Sequence, residues 1–527
     1  MNYTKLFNPS STPQSMAIPG KDMVKNAGGG YVFAVDKWTA LRRFLILGSE
    51  GGTYYAGEQK LTVDNALNVI ECIKEDGPRV VREVADVSRG GLAPKNSPAI
   101  FVLALAARQG NENTRQVAFS AIPVVCRIGT HLFEFAEYMN AMGGWGRGLR
   151  RAIGRWYTFK DVDDLAYQVV KYQQRNGWSH RDLLRLSHPK PPTAGLWEVM
   201  RWAVGKGIDE SGPDIIIGFE QAKAAQSEKQ VISAINRYEL TREMIPTQFL
   251  KSATVWDALL PNTRIGALIR NLGNMGRVGL LEPGSDAVRT VAARLTDAEE
   301  LRRGRIHPMA LLLALGVYTG GKSRWGRGLW PIVPQVSDAL DEAFYLAFGN
   351  VKPTGKLRIV GVDASTSMRA TLGDNPITAR HAALAMAMVS VHADPETIVL
   401  GFTGKDHVFP LDVSRRRRLD DNLKDFERQV RGVGTDAAGP YLWATAHKVQ
   451  ADAFELYTDN ETWAGDIHPH QALELHRRQF GPSRQINVAM TPVGYSTNDP
   501  IDANSLNVVG FDASAPGVIR SFIRGEV

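Results

Sequence analysis

The chain has 527 residues, 62 Lys plus Arg against 55 Asp plus Glu, and two cysteines. Its length argues for more than one domain, and its share of apolar residues excludes a disordered or collagen-like chain. Cys72 and Cys126 are too few for a disulfide framework, which points to a reducing, intracellular setting.

The N-terminal stretch MNYTKLFNPSSTPQ lacks the basic-then-apolar pattern of a signal peptide. The uncharged apolar runs Ala382–Val391 and Met309–Tyr318 are too short to span a bilayer. A soluble, cytoplasmic protein with no membrane partner is therefore expected, and a monomer is the expected state. The net charge of +7 permits a polyanionic partner without requiring one. Its distribution says more. Residues 356–527 hold 18 basic and 21 acidic residues, leaving 44 and 34 for residues 1–355. Within that basic part, 141–190 carries ten basic against four acidic residues, and 301–330 six against none. The Gly- and Pro-bearing stretch Gly349–Gly355 reads as a linker, so two domains are expected, 1–355 and 356–527.

In chain order, the first part reads as helix after helix. Thr62 is a cap-like residue ahead of an apolar period closed by Gly77. His131 sits at a helix start, with Thr130 as its cap. In Trp145–Tyr157, Arg147, Arg151 and Arg155 are spaced by four and share one helical face. The segment from Asp161 places Leu165, Val169 and Tyr172 on one face and Lys171 with Arg175 on another, with Asn176-Gly177 as its stop. Ser179 then caps a helix whose third residue is Asp182 and whose stripe is Arg181, Arg185 and His188. Many short helices over some 350 residues argue for a helical-repeat array. No clean period is found, although Trp-Gly-Arg-Gly-Leu recurs at 145–149 and 325–329.

The second part alternates. Apolar strand-like runs at Leu357–Val362, Thr397–Phe402, Phe454–Tyr457, Ile486–Met490 and Asn507–Phe511 are separated by helical patterns at Thr378–His392, Arg416–Arg431 and Tyr441–Gln450. This predicts an α/β doubly wound, mostly parallel sheet, with its ligand at the carboxyl ends of the strands. There the first strand runs into Asp363-Ala-Ser365-Thr-Ser367, whose oxygens suit one hard divalent cation, of which magnesium is the natural choice. Later loops bring Thr435 and Asp459 to the same edge. The plainer alternative makes Ser365 and Ser367 helix caps and Asp459 a turn residue. No GxxxxGK[ST] loop, CxxC or HExxH pattern occurs, so nucleotide-triphosphate and zinc chemistry are not indicated.

Three successive cationic stripes with Trp145, Trp156, Tyr157, Tyr172 and Trp178 between them favour RNA or DNA as a partner. Arg147, Arg151 and His180 are candidate RNA contacts on this ground. His180 and His188 also raise a metal-free ribonuclease as a competing reading, and an A-domain scaffold whose helical part binds protein is a further alternative.

The metal-loop residues resemble the metal-ion-dependent adhesion site (MIDAS) of von Willebrand factor A domains. That resemblance implies Ser365, Ser367 and Thr435 as direct or near-direct ligands, Asp363 and Asp459 as ligands or through water, and an open coordination position for an acidic group on a partner. Upstream, Val125-Cys-Arg-Ile-Gly-Thr-His-Leu-Phe133, Trp145-Gly-Arg-Gly-Leu-Arg-Arg-Ala-Ile153 and Lys171-Tyr-Gln-Gln-Arg-Asn-Gly-Trp-Ser-His180 through Pro189 resemble the RNA-binding core of Ro ribonucleoproteins, the TROVE-module family, and are most similar to its bacterial members. One departure is Gly129, where animal members are expected to carry proline. The resemblance covers nearly the whole chain. It implies a multidomain protein: a ring of α-helical HEAT-like repeats closed by a Rossmann-like A domain. It also implies a non-catalytic role. Y-type small non-coding RNA would bind the basic outer surface, with Lys171, Arg175 and His188 in contact. Single-stranded ends of misfolded or damaged RNA would enter the ring, in RNA quality control and decay beside an exoribonuclease.

Overall fold

Asp161, Ser179 and Thr193 each stop a helix from extending backwards, because their side chains accept a hydrogen bond from the backbone three residues ahead. The computed structural model in which these caps are seen describes residues 11–34, 36–47, 58–90, 93, 95–209, 211–322, 328–371, 377–414, 416–490, 495–509 and 515–525. The chain packs as two compact units, one made of residues 67–300 and 321–339, the other of 1–66, 301–320 and 340–527. Among the described residues no helix is long and apolar enough to cross a membrane.

The first unit is helical. Ser97–Gln109 is buried along most of its length and packs against Glu112–Val125 and Gly129–Ala141. Five further elements build the cationic region: α1 (Arg147–Thr158), α2 (Val162–Lys171), α3 (His180–Ser187), α4 (Ala194–Ala203) and α5 (Asp214–Ala224). α1 buries Leu149, Ile153, Trp156 and Tyr157 and packs on α3. Each such large side chain contributes about 1.5–3 kcal/mol when buried, so α1 is fixed by one face while its arginine face stays in water. α2 packs on both α4 and α5.

Several local expectations are corrected. Thr62 lies inside the helix Glu58–Gly90, which is interrupted at Asp76 (φ −148°, ψ 80°) and runs on through Pro78. The helix carrying His131 begins at Gly129 after Ile128, so Thr130 is not its cap. α2 ends at Lys171, and Asn176-Gly177 is not a helix stop. Gln174–Arg175 pairs antiparallel with Trp178–Ser179, and Asn176 (φ 53°) and Gly177 (φ 77°) form the turn. Two successive positive φ values are what a two-residue hairpin of this hand requires, and Asn-Gly is its preferred pair. The second Trp-Gly-Arg-Gly-Leu copy lies outside the described residues at Trp325, Gly326 and Arg327, as does Arg324.

In the second unit, strands β1 (Arg358–Asp363), β2 (Ile398–Phe402), β3 (Val408–Leu411), β4 (Ala453–Thr458), β5 (Arg484–Ala489) and β6 (Ser505–Val509) form one sheet in the order β6-β5-β4-β1-β2-β3. All neighbours are parallel except β2 and β3. The helix Ala379–Ala393 packs on β1 and β2 and is buried almost all round, as a helix apolar on every side must be. Ile359, Leu400, Phe454 and Leu456 form one core cluster with Tyr441 and Leu473. Arg358 is fully buried between Asp394 at 2.9 Å and Glu455 at 3.0 Å, a paired arrangement that pins the start of β1. The expected helices appear as Ala379–Ala393, Leu419–Gln429 and Gly439–Ala446. Gly510 and Phe511, at the end of the last expected strand, lie outside the described residues. A small antiparallel sheet joins Met23–Lys25 to Tyr31–Ala34 and then to Tyr495–Ser496.

Candidate nucleic-acid face and metal centre

On α1, Arg147, Arg150, Arg151 and Arg155 are all exposed. Arg175 projects from the hairpin, and Arg181 and Arg185 from α3, again exposed. None of these guanidinium groups has an ion-pair partner among the described residues. By contrast, Arg358, Arg380 and Arg477 of the other unit are each paired with carboxylates. Exposed, unpaired arginines bear no desolvation or pairing that a phosphate would have to displace, so their charge is fully available.

Lys171 and Arg175 do not share a helix face: Lys171 is the last residue of α2, and Arg175 is carried by the hairpin. The Lys171 ammonium is half-buried, 2.6 Å from the Tyr167 hydroxyl and over the Tyr167 and Tyr172 rings. Burial works to lower its pKa, but the Tyr167 hydrogen bond and the nearby Tyr172, Tyr167 and Glu243 leave it raised overall. It therefore stays charged. His188 is exposed and ends α3 in the left-handed region (φ 45°), a conformation that costs about 1 kcal/mol outside glycine.

His180 is placed differently from the expectation. It is 3% exposed, walled by Phe133, Trp156 and Tyr157, with Nδ1 2.9 Å from the Tyr157 hydroxyl. Burial pushes its pKa down to about 3. The imidazole is a neutral core group at physiological pH, which suits neither a surface phosphate contact nor a proton donor paired with exposed His188. His131 is likewise drawn inward, beside Asn96 Nδ2 at 3.2 Å, its pKa pushed down to about 4 by burial and then by Arg127. At Gly129 the amide donates to Gln168 Oε1 at 3.0 Å, a bond a proline there would not make.

Asp363, Ser365, Ser367 and Asp459 come together at the carboxyl ends of the adjacent strands β1 and β4, where the strand order reverses, while Thr435 lies on the loop that follows the helix Leu419–Gln429. Asp363 ends β1, accepting from the Ser365 amide at 2.8 Å and the Thr458 hydroxyl at 2.7 Å. The Ser365 and Ser367 hydroxyls lie 3.1 Å apart, and Ser365 does not cap the short helix after it. The buried Arg380 guanidinium donates to the Ala364 and Ser365 carbonyls at 2.6 and 2.8 Å, which fixes the loop. Thr435 is buried, its carbonyl accepting from the Trp463 and Ala464 amides. Asp436 is taken by other partners, the Gln14 side chain at 2.7 Å and the Ala438 amide at 3.0 Å. Gln14 is fully buried and also accepts from Thr462. It is a residue of the site's surroundings that local pattern does not reveal.

Burial and the neighbouring Asp459 push the Asp363 carboxyl up to about 7, and burial raises Asp459 as well. Two neighbouring buried carboxyls, beside the hydroxyls of Ser365, Ser367 and Thr458, form an environment a divalent cation would relieve. Among the described residues no three His, Cys, Asp or Glu side chains converge on a metal position, so an ion here would be held largely by hydroxyl oxygens. The donor set fits a hard cation. Ser365, Ser367 and Thr435 would offer oxygens directly, with Asp363 and Asp459 holding them and the ion's waters. The ion would supply an electrophilic position for an acidic group.

A helical unit followed by an α/β sheet with this loop constellation defines a TROVE-plus-A-domain protein. The TROVE domain pattern matches residues 24–210 and 219–322, and the Ro60 vWA domain pattern matches residues 358–523. The chain belongs to the Ro60 family. It is 40% identical to the RNA-binding protein RO60 of Deinococcus radiodurans over the full length of both chains. It is 35% identical to the RNA-binding protein RO60 of Caenorhabditis elegans, covering 98% of this chain and 92% of that one. The crystal structure of the Deinococcus radiodurans RO (RSR) protein superposes with a TM-score of 0.76, covering 93% of this chain and all of that one.

Proposed function

We propose that this chain is a non-catalytic RNA-binding protein of the cytoplasm. It captures Y-type small non-coding RNA on its arginine face and holds single-stranded ends of misfolded or damaged RNA for an exoribonuclease. The observation that carries the reading is the set of exposed arginines on α1, the hairpin and α3 that have no ion-pair partner among the described residues. Family membership and the names of the relatives support it. Lys171, Arg175 and His188 are the contacts carried over by motif, and Arg147 and Arg151 are added from the α1 face. Recognition is by charge and shape, with phosphate contacts setting position. The A domain would hold a magnesium-type ion and offer it to an acidic group of a protein partner. Val433 and Trp463, 84% and 41% exposed, flank Thr435 and favour such docking as a second role.

The test is binding of a labelled hairpin RNA with a single-stranded tail to purified monomer and to Lys171→Ala/Arg175→Ala/His188→Ala. Affinity falls at least tenfold in the variant, and the wild type leaves the RNA uncut. Equal affinity overturns the assignment, and cleavage products abolished by His188→Ala establish the ribonuclease instead.

A further inference from the structure

A cavity of about 760 Å³ opens beside the arginine face, within the helical unit. Its volume falls in the range of pockets that hold small molecules. Gln173, Gln174, Ser179 and Arg181 line one side, from the hairpin and the start of α3. Trp202, Glu220 and Lys223 line the other, from α4 and α5. We propose that this cavity is a nucleotide pocket that receives one unpaired base, preferably guanine, from an RNA lying on the arginine face; the proposal rests on the RNA-binding reading.

The walls have complementary chemistry. The Trp202 indole is held in place: its Nε1 donates to Glu220 Oε1 at 3.1 Å, and its ring meets Phe219 edge-on with centroids 5.8 Å apart. A fixed indole is a stacking surface for any base. Glu220 Oε2 is left for an N–H on the base, and Oε1, which accepts one bond from Trp202, retains a second lone pair; the two oxygens together can meet the adjacent imino and amino donors of guanine, whereas uracil presents one. The Gln174 side chain has no hydrogen-bond partner among the described residues. Gln173 donates to the Val170 carbonyl at 3.2 Å and so retains its amide oxygen. Both amides are available to a base edge.

Charge at the opening suits a phosphate. Arg181 is exposed and has no ion pair among the described residues, and Lys223 meets Glu220 only at 3.7 Å. The lip between α4 and α5 is formed by Gly205 and Gly207, whose positive φ values (91° and 77°) and lack of side chain leave the entrance clear. The pocket is also continuous with the face already described. Gln174 adjoins Arg175 in the hairpin, and Arg181 and Arg185 lie one turn apart on α3. A strand crossing these arginines passes the opening.

The experiment compares two hairpin RNAs of equal length, one fully paired and one with a single bulged guanosine, by anisotropy on the full chain. Wild type prefers the bulged RNA about tenfold, the scale of one stacked base. Trp202→Leu and Lys223→Ala lose the preference but bind the paired RNA as wild type does. Lys171→Ala/Arg175→Ala/His188→Ala loses affinity for both RNAs while keeping the ratio. Equal binding of the two RNAs by wild type, or a preference that survives both pocket variants, overturns the pocket and leaves the face intact. Should wild type bind neither RNA, the face reading falls. The pocket is then decided by saturation-transfer NMR with millimolar guanosine monophosphate: a signal lost in Trp202→Leu and weaker with uridine monophosphate supports it, and no signal overturns it.

Discussion

Replacing Arg147, Arg151 and Arg155 together by Gln tests the arginine face most directly, because all three are exposed on α1 and none has an ion-pair partner among the described residues. No intramolecular contact is lost, and Gln and Arg have similar helix propensity, so folding stability should move by no more than about 0.5 kcal/mol. Removing Arg147 from the first turn relieves the helix dipole, and removing Arg155 from the last turn gives up a similar amount. RNA affinity should respond strongly. Each phosphate neutralised contributes about 0.7–0.9 to the slope of log K against log salt, so three lost contacts flatten the slope by about 2–3. Between about 50 and 200 mM salt this amounts to roughly 20- to 40-fold less salt sensitivity. The assay is fluorescence anisotropy of a labelled RNA over a potassium chloride series, with thermal unfolding as the control. A variant with unchanged unfolding and an unchanged slope would show that α1 does not touch phosphate.

Three other outcomes are expected. Gly177→Ala, which forces a side chain into the turn at φ 77°, should destabilise the hairpin by about 1 kcal/mol and weaken RNA binding through Arg175; unchanged affinity would detach the hairpin from the face. Excess Mg²⁺ should raise the unfolding temperature, by the equivalent of about 2.7 kcal/mol at a hundredfold excess over Kd, and Ser365→Ala/Ser367→Ala should abolish the effect. Mn²⁺-soaked crystals lacking anomalous density between Ser365, Ser367 and Thr435 would contradict that ligand set. The buried His180, held by desolvation at about 3 against an ordinary 6.5, is neutral in the folded chain and protonates on unfolding. Its contribution is complete above about pH 6.5 and is lost as pH falls towards 3. His180→Phe should therefore flatten the pH dependence of stability in that window, and an unaltered acid-unfolding curve would argue against it.

The parts of the fold that were legible are those whose signal is local and repeated. β1, β2, β4 and β5 are short stretches centred on apolar residues and almost wholly buried in the sheet, and a signal of that kind is visible without knowing its neighbours. Ser179 and Asp182 form the expected reciprocal cap, because all the groups involved lie within four residues. What escaped is short or distant. A hairpin with two residues per strand has no periodicity, so Asn176-Gly177 was open to two readings and the helix pattern won. β3 has four residues, with Pro410 exposed on the edge strand, where proline is tolerated but the strand signal fades. His180 had a usable clue: with Leu183 and Leu184 it lies on the apolar face of α3, opposite Arg181 and Arg185. The metal-loop candidates are read from their position at the sheet edge, whereas the Gln14 contact with Asp436 spans 422 residues and leaves no trace in local sequence.

That last contact also constrains how the protein is made. The segment around Gln14, Asn26 and Tyr31–Ala34 finds its partners at Asp436, Thr462, Gly465 and Tyr495–Ser496. On a ribosome adding about 5–20 residues per second, the first few dozen residues wait roughly 20 to 90 s before those partners exist. For that interval Val32 and Phe33, buried in the finished protein, have no native cover. The A domain is synthesised after the helical unit, and only its emergence can release the N-terminal segment from solvent.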